Sequence, residues 1–466
     1  MAEVLLVNPC LGDEKVWGEL EEAGSVLPPY GLALLAAVLR KNKVSVKILD
    51  AQALKLDYKE TVNRILKENP KFLGLTATTS LIENAAEIAR LVKAENKKII
   101  ILIGGAHISA IPKECMKEFP DFDVGIVGEG EESIVEIVKS KSLSKIKGLV
   151  YRNKGKIILN QARELIKELD KLPMPAWDLL PDLNKYYRAA VTNYKRLPST
   201  SLITSRGCAG QCVFCAKDIF GKFCRFHSAE YVVKMIEYLR KRYGIKDISF
   251  YDDNFLLSRK RVIDFCNLVI KKKIDITWCC DTRIDIVNKE ILKLMKKAGC
   301  WQVVYGIESG SQKILDNLHK NITLKQIEDA VKWSKDAGLE VRAFFIIGNP
   351  GETKETILET IKFMKKLPLD DFFLSYFTIF PGSPISRIAE KYGKVRQGYK
   401  YKDKININFI PNGLTEQELR KYYKKAFREF YLRPRQIMKY AWKMKEVKNI
   451  KSLFKSGIAF LNLMRS

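Results

Sequence analysis

The sequence predicts an α/β protein in three parts: a doubly wound parallel sheet, a second strand–helix series built around a cysteine-bearing loop, and a helical C-terminal region. Three observations predict it. Residues 3–140 alternate apolar, β-branched runs with amphipathic stretches. A proline-punctuated connector follows, and from residue 201 a second alternation begins, with Cys208, Cys212 and Cys215 in the loop after its first strand.

The chain has 466 residues, 47% of them hydrophobic, enough for two or three cores. No run reaches the eighteen or so apolar residues of a membrane span, and residues 1–20 lack the basic start and apolar core of a signal peptide. The expected location is therefore the cytosol. Ten cysteines are too sparse for a disulfide scaffold in a chain of this length. Lys plus Arg exceeds Asp plus Glu by 81 − 54, a formal +27, which attracts polyanions in general and also matches the lysine-rich surfaces of thermophile proteins.

In the first part, EVLLVNP, VSVKILD, FLGLTAT, KIIILIGG and DVGIVGEG read as strands buried on both faces. GLALLAAVLRKN, YKETVNRILKEN, IENAAEIARLVKAEN and EESIVEIVKS carry helical periodicity between them. Ligands of such sheets bind outside the carboxyl ends of the strands, where Gly104, Gly105, Gly128 and Gly130 gather. KGLVYRNKGKIIL reads as a hairpin and ELDKLPMPAWDLLPD as an extended connector, so boundaries are expected at 1–140, 141–195, 196–390 and 391–466.

In the second part, SLITS reads as a strand leading into a Cx3Cx2C array whose three thiolates can converge on one face of a turn-rich loop. Iron–sulfur clusters and structural zinc are usually held by four protein ligands, so a triplet suggests a cluster with one iron left open to a small molecule. Cys224 and His227 are near enough in sequence to act as a fourth ligand, which keeps a zinc knuckle as the alternative. Five further strands follow: KDISFYDDNF, IDITWCCDTRID, WQVVYGIES, VRAFFIIGNPGET and FFLSYFTIFPGSPI. Cys279 and Cys280 read as core residues, with a thiol facing the cavity as the other reading.

With Phe214 before its last cysteine, the array CxxxCxΦC resembles that of the radical S-adenosylmethionine (SAM) superfamily. The resemblance implies a partial (β/α)6 barrel and a 4Fe-4S cluster on Cys208, Cys212 and Cys215, with SAM on the fourth iron as the source of a 5'-deoxyadenosyl radical. It also implies SAM contacts: Phe214 near the adenine, Asp252 and Asp253 for the amine, Arg283 for the carboxylate, and Glu308, with its neighbour Ser309, for the ribose. The turn at Gly348 is expected to touch the adenine. GIESGS, followed by a leucine, a lysine and a threonine, closely resembles the fourth-strand motif of one large subfamily.

That subfamily carries a Rossmann-like cobalamin-binding domain ahead of the barrel, and NP after strand one, PPYGLALLAAVLR and GGAHISAIP resemble it. The implied cobalamin contacts are Asn8, Thr76, Thr78, Gly104, Gly105, His107, Gly128 and Glu129. For Thr76 and Thr78 helix capping is the alternative, and for His107 a satisfied loop residue. The better-known cobalamin pattern places DxHxxG after the first strand, whereas this loop reads NPCLGDEKVWG. Cobalt is accordingly expected to lack a protein histidine.

The function implied is methylation of an unactivated carbon, as in class B radical SAM methyltransferases, with one SAM methylating cobalamin and another supplying the radical. Radical cyclisation with the same cofactors is the alternative. An RNA methylthiotransferase would need a second cysteine triplet, and the first part holds only Cys10 and Cys115. A non-catalytic cobalamin or redox sensor would have no use for Glu308 and Arg283. The expected partners are a small-molecule or lipid substrate and an electron donor such as ferredoxin or flavodoxin; nucleic acid is not expected. Residues 435–466 mix lysines with Trp442, Phe454 and Phe460. They read either as a packing layer or as a basic surface resting on anionic lipid at the inner membrane face.

Overall fold

Five apolar runs pair in parallel because both of their faces can be buried under helices: β1 (Val4–Asn8), β2 (Val46–Asp50), β3 (Phe72–Thr76), β4 (Ile100–Gly104) and β5 (Val124–Ile126). The structure is a computed structural model that describes residues 2–11, 25–140, 142–187, 189, 191–396, 406–434 and 436–438. The interleaved helices are α1 (Tyr30–Lys41), α2 (Tyr58–Glu68), α3 (Ile82–Glu95), α4 (Ala106–Ala110), α5 (Pro112–Glu118) and α6 (Glu131–Lys139). Asp57 caps α2 in a reciprocal capping box with Glu60, which satisfies two otherwise orphaned donors.

The expected hairpin, β6 (Leu149–Asn153) and β7 (Lys156–Leu159), forms, but not within a connector. It continues the first sheet as two antiparallel strands, giving the order β2-β1-β3-β4-β5-β6-β7. The reason lies in β5, whose second edge would otherwise expose unpaired backbone groups. The first unit therefore runs past residue 140.

The connector is not a loose, extended segment either. Ala176 N donates to Ala33 O at 2.9 Å, Arg40 forks onto Asp178, and Trp177 and Leu183 of α7 (Leu183–Tyr186) are buried in the core shared with the second unit. The Tyr187 hydroxyl donates to Asp50 Oδ2 at 2.8 Å. Buried aromatic and aliphatic side chains contribute about 2–3 kcal/mol each, so this segment is a packed joint.

The second unit begins with β8 (Ser199–Leu202), followed by the short ladder β9 (Ser205–Arg206) with β10 (Arg225–Phe226) that closes the base of the cysteine loop. Then α8 (Ala229–Tyr243), α9 (Arg259–Lys271), α10 (Lys289–Lys297), α11 (Gln312–Asn317), α12 (Leu324–Asp336) and α13 (Lys354–Lys366) alternate with β11 (Asp247–Phe250), β12 (Thr277–Thr282), β13 (Cys300–Glu308), β14 (Glu340–Ile347) and β15 (Asp371–Tyr376). The six main strands are all parallel in the order β15-β14-β13-β12-β11-β8, an open half-barrel. Along β14, Val341, Ala343, Phe345 and Ile347 are buried against helices, whereas Arg342, Phe344 and Ile346 remain half-buried on the concave face. That face is the lumen.

The C-terminal region is not purely helical. A small hairpin, β16 (Gly393–Val395) with β17 (Phe409–Pro411), precedes α14 (Glu416–Tyr431), whose Thr415 cap forms the expected box with Glu418. Phe427, Phe430 and Tyr431 of α14 pack on Phe372 of β15. The expectation for the lysine-and-aromatic tail falls beyond residue 438, outside the described residues. No described helix is long and apolar enough to cross a membrane.

Candidate functional site

The cysteine loop is held at both ends by the half-barrel. Asp252 accepts from Thr204 N, Ser205 N and Thr204 Oγ1 (2.7 Å) and pairs with Arg261 at 3.3 Å, fixing the exit from β8. Gly207 then turns at φ +85°, where a Cβ would lie 2.4 Å from Phe223 O, so only glycine fits. Val213 N donates to Leu318 O and Val213 O accepts from Ile385 N, tying the loop to the β13 and β15 sides of the lumen.

Cys208, Cys212 and Cys215 stand on this loop. Among the described residues no three His, Cys, Asp or Glu side chains are drawn in to metal-ligand distances. Room for a guest is kept by Gly210: a Cβ there would lie 3.4 Å from Cys208 Sγ, 3.9 Å from Cys212 Sγ and 3.4 Å from Arg283 Nη1. Two thiols beside a side-chain-free position, with a guanidinium nitrogen near them and Cys215 on the same loop, is a donor set that fits a sulfur-rich cluster with an open corner. Burial, and then Cys212, push the Cys215 thiol up to about 11, so deprotonation there is left to a bound cation. The zinc-knuckle alternative loses His227, which is buried, hydrogen-bonded through Nδ1 to Asp170 at 2.9 Å and stacked on Tyr231.

The residues expected around SAM divide. Asp253 lies just past β11 with an exposed side chain and accepts from the Gly207 backbone. Glu308 ends β13 at φ +68°, in the bulge opposite Phe345, and Phe214 packs on the apolar cluster that contains Ile314, Leu318 and Phe377. Gly348 (φ +84°) forms a turn whose backbone donates to Glu352.

Three other expectations are corrected. Asp252 is buried and spends both oxygens on the loop and Arg261, so it orders the thiols and is not open to a ligand amine. Arg283 forks onto Asp285 at 2.9 and 3.0 Å and donates to Lys320 O, which leaves Nη1, 3.9 Å from Cys212 Sγ, facing the thiols. Ser309 is fully buried and its hydroxyl is hydrogen-bonded to Thr360 of α13, so it is not open to a ribose. Lys320 is a site residue that sequence reasoning misses: its Nζ lies 2.7 Å from Glu308 Oε1 and 5.9 Å from the centre of the Phe214 ring. The signal was present as the lysine of the fourth-strand motif.

On the first sheet, Gly104 ends β4 with nothing within 4 Å of the position of an added Cβ. Gly105 (φ +105°) approaches Ala77 so closely that a Cβ would lie 2.5 Å from its carbonyl oxygen. Thr76 is half-buried and Thr78 exposed; Thr78 stands at the N-cap position of a short 3-10 turn without a side-chain capping bond, its Oγ1 meeting Ser80 Oγ at 3.0 Å. These strand ends leave an open shelf at the Gly-Gly turn, with room for a ligand outside the sheet.

His107, Asn8 and Glu129 depart from expectation. His107 has no exposed surface and meets Thr79 Oγ1 at 3.4 Å, and burial lowers its pKa to about 4, so it is a packed neutral residue and not a corrin contact. Asn8 donates to Asp50 Oδ1 at 2.8 Å within the network that Tyr187 joins, which ties it to the connector. Glu129 is buried and bonded to Arg206 and Arg225 at the base of the cysteine loop. Gly128 faces the same loop, its Cβ position 3.9 Å from Ile219 O. The loop NPCLGDEKVWG lies largely outside the described residues.

Comparison with known proteins accords with this geometry. Residues 202–364 match the Radical SAM superfamily and residues 18–138 the B12 binding domain. The chain is similar to an uncharacterized methyltransferase, PH0819, of Pyrococcus horikoshii, with 37% identity over 423 residues covering 89% of this chain and 90% of that protein. It is 28% identical over 431 residues to an anaerobic magnesium-protoporphyrin IX monomethyl ester cyclase of Rubrivivax gelatinosus, 89% of this chain and 75% of that one. The solved structure of the radical SAM methyltransferase TsrM from Kitasatospora setae, with cobalamin and a 4Fe-4S cluster bound, superposes at a TM-score of 0.71. Identity to TsrM is 19%, with 93% of this chain and 90% of that chain covered, which shows the shared fold.

Proposed function

This chain belongs to the radical SAM superfamily, among those members that carry a B12-binding domain ahead of the radical SAM core, and from that premise we propose that it methylates an unactivated carbon of a small-molecule substrate. The observation that carries the reading is the apposition of the two ligand faces: Gly128 approaches Ile219 of the thiol loop, and the Cβ position of Gly382 lies 3.0 Å from Ala110. A cofactor on the first shelf and one on the thiol loop thus address one space.

When bound, the cluster supplies one electron to the sulfonium of SAM and cobalamin carries the methyl group. The chain's own residues bind and orient. Cys208, Cys212 and Cys215 hold the cluster; Asp253 accepts from the methionyl amine; Glu308, held by Lys320, accepts from the ribose. Phe214 and the Gly348 turn flank the adenine, while Thr76, Thr78, Gly104 and Gly105 seat the corrin tail. The lumen wall of Phe344 and Phe373, whose rings meet at 5.8 Å, keeps water from the reacting carbon.

Anaerobic incubation of reconstituted enzyme with methyl-deuterated SAM and cell extract tests this. A product gaining a trideuterated methyl, with equal amounts of 5'-deoxyadenosine and S-adenosylhomocysteine, is the expected result. Radical cyclisation is the second reading, favoured by the similarity to the Rubrivivax cyclase. It predicts 5'-deoxyadenosine without S-adenosylhomocysteine.

The proposal extends to setting and partners. A low-potential cluster requires a reducing compartment, so the enzyme works in the cytosol, reduced by a ferredoxin or flavodoxin. The +27 charge and the lysine-and-aromatic composition of 435–466 support a lipid substrate reached at an anionic membrane face. Salt-sensitive flotation with anionic liposomes, lost on truncation after Pro434, is expected; equal flotation of both chains favours a soluble substrate.

A further inference from the structure

The ladder that closes the cysteine loop sets two arginines directly across from one another, Arg206 of β9 opposite Arg225 of β10. Like charges in that relation repel, so the ladder does not close on its own chemistry. The compensating carboxylates come from the other unit. Glu129 Oε1 lies 2.6 Å from Arg206 Nη1 and 2.8 Å from Arg225 Nη1, and its Oε2 accepts from Arg225 Nη1 at 2.9 Å and from Ile166 N at 2.7 Å. Glu131 Oε1 takes the second Arg206 nitrogen at 2.5 Å. All four charged side chains are at most 10% exposed, where an unpaired charge is strongly disfavoured.

From Glu129 a continuous series of contacts runs back to the Gly-Gly turn. Glu129 follows Gly128, whose N–H donates to Ser109 Oγ at 3.0 Å, and Ser109 Oγ donates to Gly105 O at 2.8 Å. In the other direction Arg206 stands two residues before Cys208. The shelf for the corrin tail and the loop for the cluster are therefore joined through one carboxylate, on which the closed ladder depends for the pairing of its two arginines.

We propose that Glu129 is a positioning residue that couples the two cofactor sites, so that cobalamin and the iron–sulfur cluster each bind more tightly when the other is present. Reciprocity follows because a coupling free energy belongs to the pair of ligands. The inference rests on the two cofactors and not on which reaction they perform.

The test is titration of hydroxocobalamin, followed by absorbance, into the full chain before and after anaerobic cluster reconstitution. In the wild type, cluster loading is expected to tighten cobalamin binding at least about fivefold. In Glu129→Gln that ratio falls to about one while the affinity of the cluster-free chain stays within about twofold. Arg206→Lys, which keeps the charge but cannot fork onto both carboxylates, lowers the ratio as well, and it is the variant to read if Glu129→Gln does not fold. The electron paramagnetic resonance spectrum of the reduced cluster with SAM should respond to cobalamin in the wild type and not in either variant. An undiminished ratio overturns the proposal; so does an equal loss of cobalamin affinity with and without the cluster, which would make Glu129 an ordinary contact or a merely structural residue.

Discussion

The Lys320 ammonium stands 2.7 Å from Glu308 Oε1, and both side chains fill the space that Gly306 leaves: a Cβ on Gly306 would lie 2.6 Å from that oxygen and 2.9 Å from Lys320 Nζ. Among the described residues the lysine takes one carboxylate oxygen and leaves the other open, and a ribose hydroxyl of SAM is the partner proposed for it. Breaking a buried pair by removing one partner costs about 3–5 kcal/mol. Lys320→Met is therefore expected to lower thermal stability and to weaken SAM binding at least about tenfold, read by equilibrium dialysis. Unchanged SAM affinity in a folded Lys320→Met protein would remove Lys320 from the site.

Gly104 and Gly105 are adjacent and separable. With open space at its Cβ position, Gly104→Val should fold normally and lose cobalamin affinity by about tenfold or more, because the branched side chain fills the shelf. Gly105→Ala should instead destabilise the fold by about 2 kcal/mol or more, since its φ of +105° and the nearby Ala77 carbonyl both exclude a side chain. Chemical denaturation and cobalamin titration distinguish the two.

Replacing Cys208, Cys212 and Cys215 together by alanine should take iron and sulfide from about four each per reconstituted chain to near zero. Thermal unfolding should change little beyond the lost cluster, because Asp252, Arg261 and the Val213 backbone hold the loop ends without the thiols. Iron retained in the triple variant, or zinc bound in place of iron by the wild type, would sink the cluster assignment.

His107 sets a pH dependence. Burial lowers its pKa from 6.5 to about 4, so between these values the unfolded chain binds the proton that the folded chain refuses. Its contribution is fully present above pH 6.5 and is lost as pH falls through about 4. Urea midpoints measured from pH 7 to pH 4 should drop less in His107→Asn than in the wild type. The cob(II)alamin form of the wild type should show no nitrogen splitting that disappears in that variant.

Much of the site was legible because its chemistry is local. Three cysteines at fixed spacing need only one loop to stand together, and alternating runs with glycine at strand ends need only the parallel sheet they form to create a shelf at Gly104 and Gly105. The errors fall where a polar side chain could choose between partners distant in sequence. Asp252 and Asp253 are equivalent as letters; the side chain that alternation turns inward meets Arg261 and the β8 exit, and the other is left at the rim. Arg283 met a nearer carboxylate, Asp285, before any ligand. The hairpin at 149–159 reads correctly as a hairpin, yet its membership of the first sheet depends on the open edge of β5.

What the sequence alone determined about this protein is the alternation of strands and helices in its two units, the cofactors those units carry and the placing of three cysteines on one loop, because periodicity, glycine placement and cysteine spacing act within short stretches. Only the tertiary structure decided that Glu129 serves Arg206 and Arg225, that Lys320 serves Glu308 and that His107 is shut away from any ligand. Each of these pairings depends on which charges lose their water together. Desolvation belongs to the packed chain, where an ionised group must be matched by whatever the fold has brought beside it.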